Sequence, residues 1–215
     1  MNSRNILIGF GAIIATFVIL FLVYKIVATP QINELPEMNR IKDSDHVKWA
    51  KDAKNVLVEY SDIQCPACKS FHDVIASFEA SSSPDFSITK KTAFVFRHYP
   101  LYQIHKNAFA AAYAAEAAAV QNKFWEMTDY LYKNQSEWSN LSNPNEYFEK
   151  AALSLNLNLP QFKKDIGSNK VKERVQEDLS EAEKIGLNST PTFFLNGRRV
   201  TVNTFEDFKD LLKSL

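Results

Sequence analysis

Cys65 and Cys68 are the only two cysteines in a chain of 215 residues, and they stand in one Cys-Pro-Ala-Cys run. Two thiols at this spacing can close an intramolecular disulfide. If a helix begins between them, the first sulfur meets unpaired backbone N–H groups and the positive end of the helix dipole. A thiolate is stabilised there, and such cysteines fall from a pKa of about 8.5 into a range of roughly 3.5–7.5. A stable thiolate leaves readily, and its disulfide is the stronger oxidant. Cys65 is therefore the candidate exchanging sulfur. Cys68, one turn later and facing inward, is the candidate that closes the bridge. Pro66 suits the first helical position, where a missing N–H costs nothing, and Ala67 completes the motif.

Two other readings compete for the cysteines. Free cysteines also serve as small buried apolar residues, but chance rarely puts the only two at this spacing beside a proline. Half of a structural zinc site is the other, and it requires two more ligands. The available histidines are His46, His72, His98 and His105. They are scattered and none forms a His-x-x-His pair, so no metal is expected, and no other cofactor.

Two further features bear on the same chemistry. Glu59 lies six residues before Cys65 in an apolar run, Val-Leu-Val-Glu-Tyr. An acid in such a run is costly to bury unless it is paired or in use, and it could exchange protons with Cys68. The same residue could instead lie on an exposed strand face. Ser189-Thr190-Pro191-Thr192 precedes a strand candidate. Its proline could be cis, although on its residues alone a trans proline at a strand start is the ordinary case.

The elements that must position these residues follow from hydrophobic period. Val56–Tyr60 reads as a buried strand. Cys68, Phe71, Ile75 and Phe78 recur three or four apart, one apolar helix face, with Ser81–Pro84 ending the helix. Ala93–Phe96 reads as a second strand, so the segment fits a parallel crossover. Helices are expected over Asn107–Val120, Lys123–Lys133, Asn145–Leu155, Pro160–Ile166 and Lys170–Ile185. Strands return at Thr192–Leu195 and Arg199–Val202, joined by the hairpin pair Asn196-Gly197, and Thr204–Leu212 closes as an amphipathic helix. Neither half-sheet could stand alone. The expected fold is one α/β domain with a helical insertion at about 105–185.

Lysine plus arginine equals aspartate plus glutamate at 25 each, so no net field draws the chain to nucleic acid. From Asn5 to Tyr24 there is no charge. About twenty helical residues at about 1.5 Å each match a hydrocarbon core of about 30 Å. A cleaved signal peptide would have a shorter apolar stretch and a small-x-small site, for which Ile26-Val27-Ala28 is poor. The expected organisation is a transmembrane signal-anchor over 1–28, a linker with Pro30 and Pro36 over 29–44, and the domain over 45–215. Arg4 favours an inside N-terminus. Disulfide chemistry persists outside the cytoplasm, which places the domain there.

Taken together, Glu59, Cys65-Pro66-Ala67-Cys68 and Thr190-Pro191 resemble the thioredoxin superfamily, which has an acid, a Cys-x-x-Cys helix start and a cis-proline loop in this order. More narrowly, Val58–Cys68, Phe96–Leu101, Lys123–Met127 and Gly186–Phe194 resemble the DsbA-like oxidoreductases, including the membrane-anchored bacterial kind. The resemblance spans about Asp45 to Leu215. It implies a thioredoxin-like fold, Cys65 as nucleophile, Cys68 as resolving cysteine, Glu59 as buried acid, Pro191 as cis residue and Thr190 as a backbone contact for substrate. It implies reduced exported proteins as substrates, oxidised through a Cys65–Cys68 disulfide, and a membrane partner that reoxidises the pair. The same scaffold can run as a reductase or isomerase, or as a binding module without turnover. One departure is Ala67, where the best-known periplasmic oxidase has a histidine. It removes a hydrogen-bonding partner from the thiolate and so predicts weaker oxidising power.

Overall fold

The computed structural model describes residues 13–21, 35–80, 88–202 and 204–215. The chain divides into two compact units, Met1–Asn33 and Glu34–Leu215. In the first, residues 13–21 are helical and exposed. The rest of the expected anchor lies outside the described residues, among which no helix is long and apolar enough to cross a membrane.

The described strands of the second unit form one five-stranded mixed sheet in the order β1-β3-β2-β4-β5. The central strand β2 (Asn55–Ser61) is buried along nearly its whole length, as its apolar run predicts. It runs parallel to β3 (Thr92–His98), and between them lies the helix α1 (Pro66–Ala80). On the other side β2 pairs antiparallel with β4 (Thr192–Leu195), which turns back into β5 (Arg198–Val200). The turn takes φ of +50° at Asn196 and +80° at Gly197, the two left-handed residues of a type I′ hairpin. Gly197 has a second reason to lack a side chain. A Cβ there would come within 3.0 Å of the Leu35 carbonyl oxygen.

Strand β1 (His46–Trp49), not foreseen from sequence, pairs antiparallel with β3 at the sheet edge. Its four residues are all half-buried, so no alternation of apolar and polar residues marks it. The segment before it, expected to be linker, is docked from Leu35 onward. Pro36–Asn39 forms a single 3-10 turn that buries Met38. The fully buried Arg97 holds the following residues, donating from Nε and Nη2 to the two carboxylate oxygens of Asp45 at 3.0 and 2.9 Å and to the Arg40 carbonyl at 3.0 Å.

Alternation along β2 and β3 divides the core into two faces. Val56, Val58, Tyr60, Ala93 and Val95 face Leu179 and Ala182 of the long helix Asn169–Lys184. Leu57 and Phe94 face the other way, against Ile75 and Phe78 of α1 and Phe208 and Leu212 of the closing helix Phe205–Lys213. Glu59, Ser61, Phe96 and His98 share this second face by the same period. The helical insertion covers its far end, where α2 (Ala108–Ala119) and α3 (Phe124–Lys133) pack with Phe96, Cys65 and Cys68. The fold is thioredoxin-like, with the helices of the insertion between the two halves of the sheet. A short helix, Gln135–Trp138, was not foreseen.

Candidate functional site

The chain leaves β2 at Ser61 and makes one turn before α1. Cys65 donates its N–H to the Asp62 carbonyl at 3.0 Å, and its own carbonyl accepts from Lys69 N–H at 3.1 Å. It therefore occupies the N-cap position, with Pro66 as the first helical residue. Pro66 and Ala67 are exposed, whereas Cys65 is 7% and Cys68 0% exposed. The first sulfur is thus more enclosed than the motif alone suggests. Both cysteines are free thiols.

The two sulfurs occupy opposite electrostatic situations. The Cys65 thiol is pulled down to about 5, first by a hydrogen bond from the Cys68 thiol. Burial opposes this, and the N–H groups of Cys68 and Ala67 and the Thr190 side chain add to it. Cys68 is pushed well above the ordinary thiol range by burial and by that same bond. Cys68 Sγ accepts the Asp62 N–H at 3.4 Å. The partner lost with Ala67 is thus replaced by backbone and by neighbours, a compensation that the motif does not display.

The Thr190–Pro191 peptide is cis, the geometry the resemblance implies. The loop lies against the first cysteine: the Cys65 thiol points to the Thr190 carbonyl at 3.7 Å. The Thr190 hydroxyl is buried, makes no other hydrogen bond among the described residues, and favours the Cys65 thiolate.

Glu59 is 3% exposed and lies under the cysteines rather than on an open strand face. Burial pushes its pKa up to about 7, despite a hydrogen bond from Ser61. Ser61 Oγ donates to Glu59 Oε1 at 2.6 Å and lies 2.9 Å from the Tyr132 hydroxyl. It also favours the Cys68 thiolate, opposing the effect of burial there. A single hydroxyl thus acts on both the acid and the inner thiol.

Sequence reasoning passed over several residues that shape this site. Ser61 falls just past the strand expected over Val56–Tyr60, although its place two residues after Glu59 puts both on one face. Asp62, fully buried, accepts from Gln64 N–H at 2.8 Å, Leu101 N–H at 2.9 Å and His105 Nδ1 at 2.7 Å. His105 is raised above its ordinary range, first by that bond to Asp62. From the insertion, Gln135 Nε2 donates to the carbonyls of Ile63 and Cys65 at 2.8 and 3.1 Å. Nothing local marks Gln135, because it acts on residues some seventy positions away.

A second polar cluster lies outside the redox site. His46 Nε2 and His98 Nε2 stand 2.8 and 2.9 Å from the same oxygen, Oε1 of Glu116. Two histidines that the sequence scatters are thus brought together by strand pairing.

Comparison with known proteins places this geometry. A family model described as Thioredoxin matches residues 42–214. Among curated proteins, the Na(+)/H(+) antiporter NhaA 1 of Mycolicibacterium vanbaalenii is 40% identical over 161 residues, 73% of this chain and 24% of that protein. The counterpart from Mycolicibacterium gilvum is 38% identical over the same shares. The chain spans about a quarter of the length of these relatives. Among solved structures, Wolbachia pipientis alpha-DsbA1 superposes with a TM-score of 0.68 at 23% identity, covering 84% of this chain and 95% of that one. Oxidised BdbD from Bacillus subtilis gives 0.62 at 19%, covering 80% and 92%. The catalytic domain of Proteus mirabilis ScsC gives 0.64 at 18%, covering 83% and 92%. These share the fold.

Proposed function

This chain belongs to the thioredoxin family, and from that premise we propose that it is a DsbA-like thiol–disulfide oxidoreductase that oxidises the thiols of exported proteins. The observation that carries the reading is the asymmetry of the pair: Cys65 is held as a thiolate at a helix start while Cys68 is buried behind it with a raised pKa.

In the proposed cycle a substrate thiolate attacks Cys65 Sγ of the Cys65–Cys68 disulfide. The bond between the two enzyme sulfurs breaks, and Cys68 leaves as a thiolate. Glu59, protonated near neutral pH, supplies a proton to it through the Ser61 hydroxyl. A second substrate thiolate attacks the substrate sulfur of the mixed disulfide, and Cys65 departs as the stabilised thiolate. The substrate gains a disulfide and loses two electrons, and the enzyme gains them. A membrane redox partner then accepts those electrons and restores the bridge. Thr190 beside the sulfur supports a role for its backbone in holding an extended substrate segment.

The depressed Cys65 pKa favours the oxidising direction. At pH 7, a pKa of about 5 favours the reduced form by a factor of about a hundred over an ordinary thiol, or roughly 60 mV. This argues against the weaker oxidising power expected from Ala67, and against the reductase reading of the scaffold. The antiporter names of the curated relatives belong to far longer chains, and ion exchange forms no part of this reading.

The proposal includes a single-pass anchor over the charge-free segment Asn5–Tyr24, with the domain outside the cytoplasm. Its support is the length of that segment and the need for a compartment in which disulfides persist. Protease added to intact cells should digest the domain; protection until lysis would refute this topology. The reaction direction is tested by equilibrating the pair against glutathione buffers. A potential between those of protein disulfide isomerase and DsbA, roughly −180 to −120 mV, is expected. A value near that of thioredoxin, about −270 mV, would instead mark a reductase.

A further inference from the structure

We propose that His46, His98 and Glu116 form a binding site for one zinc-like divalent transition ion, at the seam between the sheet and the helical insertion. The site is separate from the cysteine pair and does not rest on the redox reading.

The three residues come from three elements. β1 pairs with β3 so that His46 stands opposite Phe96, which sets His46 and His98 on the same sheet face, one diagonal step apart. Glu116 arrives from α2. The ligand atoms of all three lie within 4.8 Å of one another. Both imidazoles meet the same carboxylate oxygen, at 2.8 and 2.9 Å, rather than dividing between the two oxygens. Ligand atoms about 2.0–2.2 Å from a tetrahedral ion are about 3.3 Å apart, so each histidine–carboxylate distance needs to open by only about half an ångström.

The rings are already oriented. The Phe124 ring stacks on His46 at 3.4 Å between centroids and 8° between planes, and meets His98 edge-on at 5.8 Å. His98 is nearly fully buried, while His46 keeps some exposure. Glu116 also lines a surface pocket of about 230 Å³ together with Ser44, Val120, Lys170 and Arg174. This gives solvent an approach to the Glu116 side of the cluster. Arg174, which lines the same pocket and also feels the Glu116 charge, pairs with Asp178 through Nη1 at 2.6 Å.

Ligand chemistry selects the ion. Two imidazoles and one carboxylate suit zinc and its neighbours. Calcium takes six to eight oxygen ligands, which this cluster does not provide.

The test uses the full chain in detergent with the Cys65–Cys68 bridge formed, so that the sulfurs cannot bind metal. Titration with zinc chloride, followed by calorimetry, should give one ion per chain. His46→Ala and Glu116→Gln should each weaken binding by at least about tenfold. Cobalt(II) should give the visible absorption of a four-coordinate nitrogen and oxygen site, without a thiolate charge-transfer band. No zinc uptake by the bridged chain at about 100 μM, or uptake unchanged in both variants, would overturn the proposal. Should either variant fail to fold, the cobalt spectrum of the unaltered bridged chain decides, and its absence counts against the site.

Discussion

The hydroxyl of Ser61 donates to Oε1 of Glu59 at 2.6 Å, and it also pulls the Cys68 thiol downward against its burial. Ser61 therefore acts on both the buried acid and the inner thiol, which makes it the candidate link between them. Ser61→Ala should slow the steps in which Cys68 gains or loses a proton by about a hundredfold, at the low end of the range for a positioned acid or base. Ser61→Thr, which keeps the hydroxyl, should restore them. The pH profile of disulfide formation by the reduced enzyme separates this role from packing. A packing defect lowers the whole profile, whereas loss of the link moves its midpoint.

Glu59 destabilises the fold it serves. Its pKa rises from 4.5 unfolded to about 7 in the fold because of burial. Below pH 4.5 the carboxyl is protonated in both states and no penalty exists. Between 4.5 and 7 the unfolded chain releases the proton while the folded chain keeps it, so stability declines as pH rises. The shift corresponds to about 3 kcal/mol at most. Glu59→Gln should therefore unfold at higher urea than the parent at pH 7.5 and at nearly the same urea at pH 4. An equal gain at both values would contradict a titration origin.

Cys65 should titrate near 5, with Cys68 remaining protonated through neutral pH. Alkylation at pH 6 followed by peptide mapping should label Cys65 almost alone. Preferential labelling of Cys68 would reverse the roles assigned to the two sulfurs.

The pair Arg97–Asp45 ties the segment before β1 to the sheet. Both side chains are fully buried, so removing one partner leaves an uncompensated charge. Asp45→Ala should cost about 3–5 kcal/mol in urea unfolding. A loss under 1 kcal/mol would mean that Glu181, 3.2 Å from Arg97 Nη1, suffices to hold the guanidinium.

Much of the central fold could be read before any coordinates. β2 announces itself by an apolar run flanked by a turn, because both its faces are covered. The cysteines stand out because there are no others. The helices of the insertion follow from apolar spacing, with ends within a residue or two. What escaped depends on partners distant in sequence. β1 is too short and too evenly half-buried to show a period, and it becomes a strand only beside β3. The stretch from Leu35 reads as linker because its hold is Arg97, far along the chain. His46 and His98 look unrelated until an antiparallel register sets them side by side under Glu116. Gln135 and Tyr132 reach the active loop from the insertion, about seventy residues downstream. Ser61 was the one within reach, since alternation from Glu59 already points it at the same face.

The central claim is that Cys65 is the sulfur that exchanges with substrate and Cys68 the one that closes the cycle. The most direct measurement is capture in the Cys68→Ser variant. Its Cys65, activated as a mixed disulfide with a small thiol, is presented with an unfolded protein bearing a single thiol, so that only Cys68 could release it, and the products are mapped by mass spectrometry. The account predicts a stable covalent adduct through Cys65 that the parent enzyme, with its resolving sulfur, does not accumulate. The reciprocal Cys65→Ser variant should form little adduct, because Cys68 is fully buried. Adducts forming mainly through Cys68, or none through Cys65, would contradict the account.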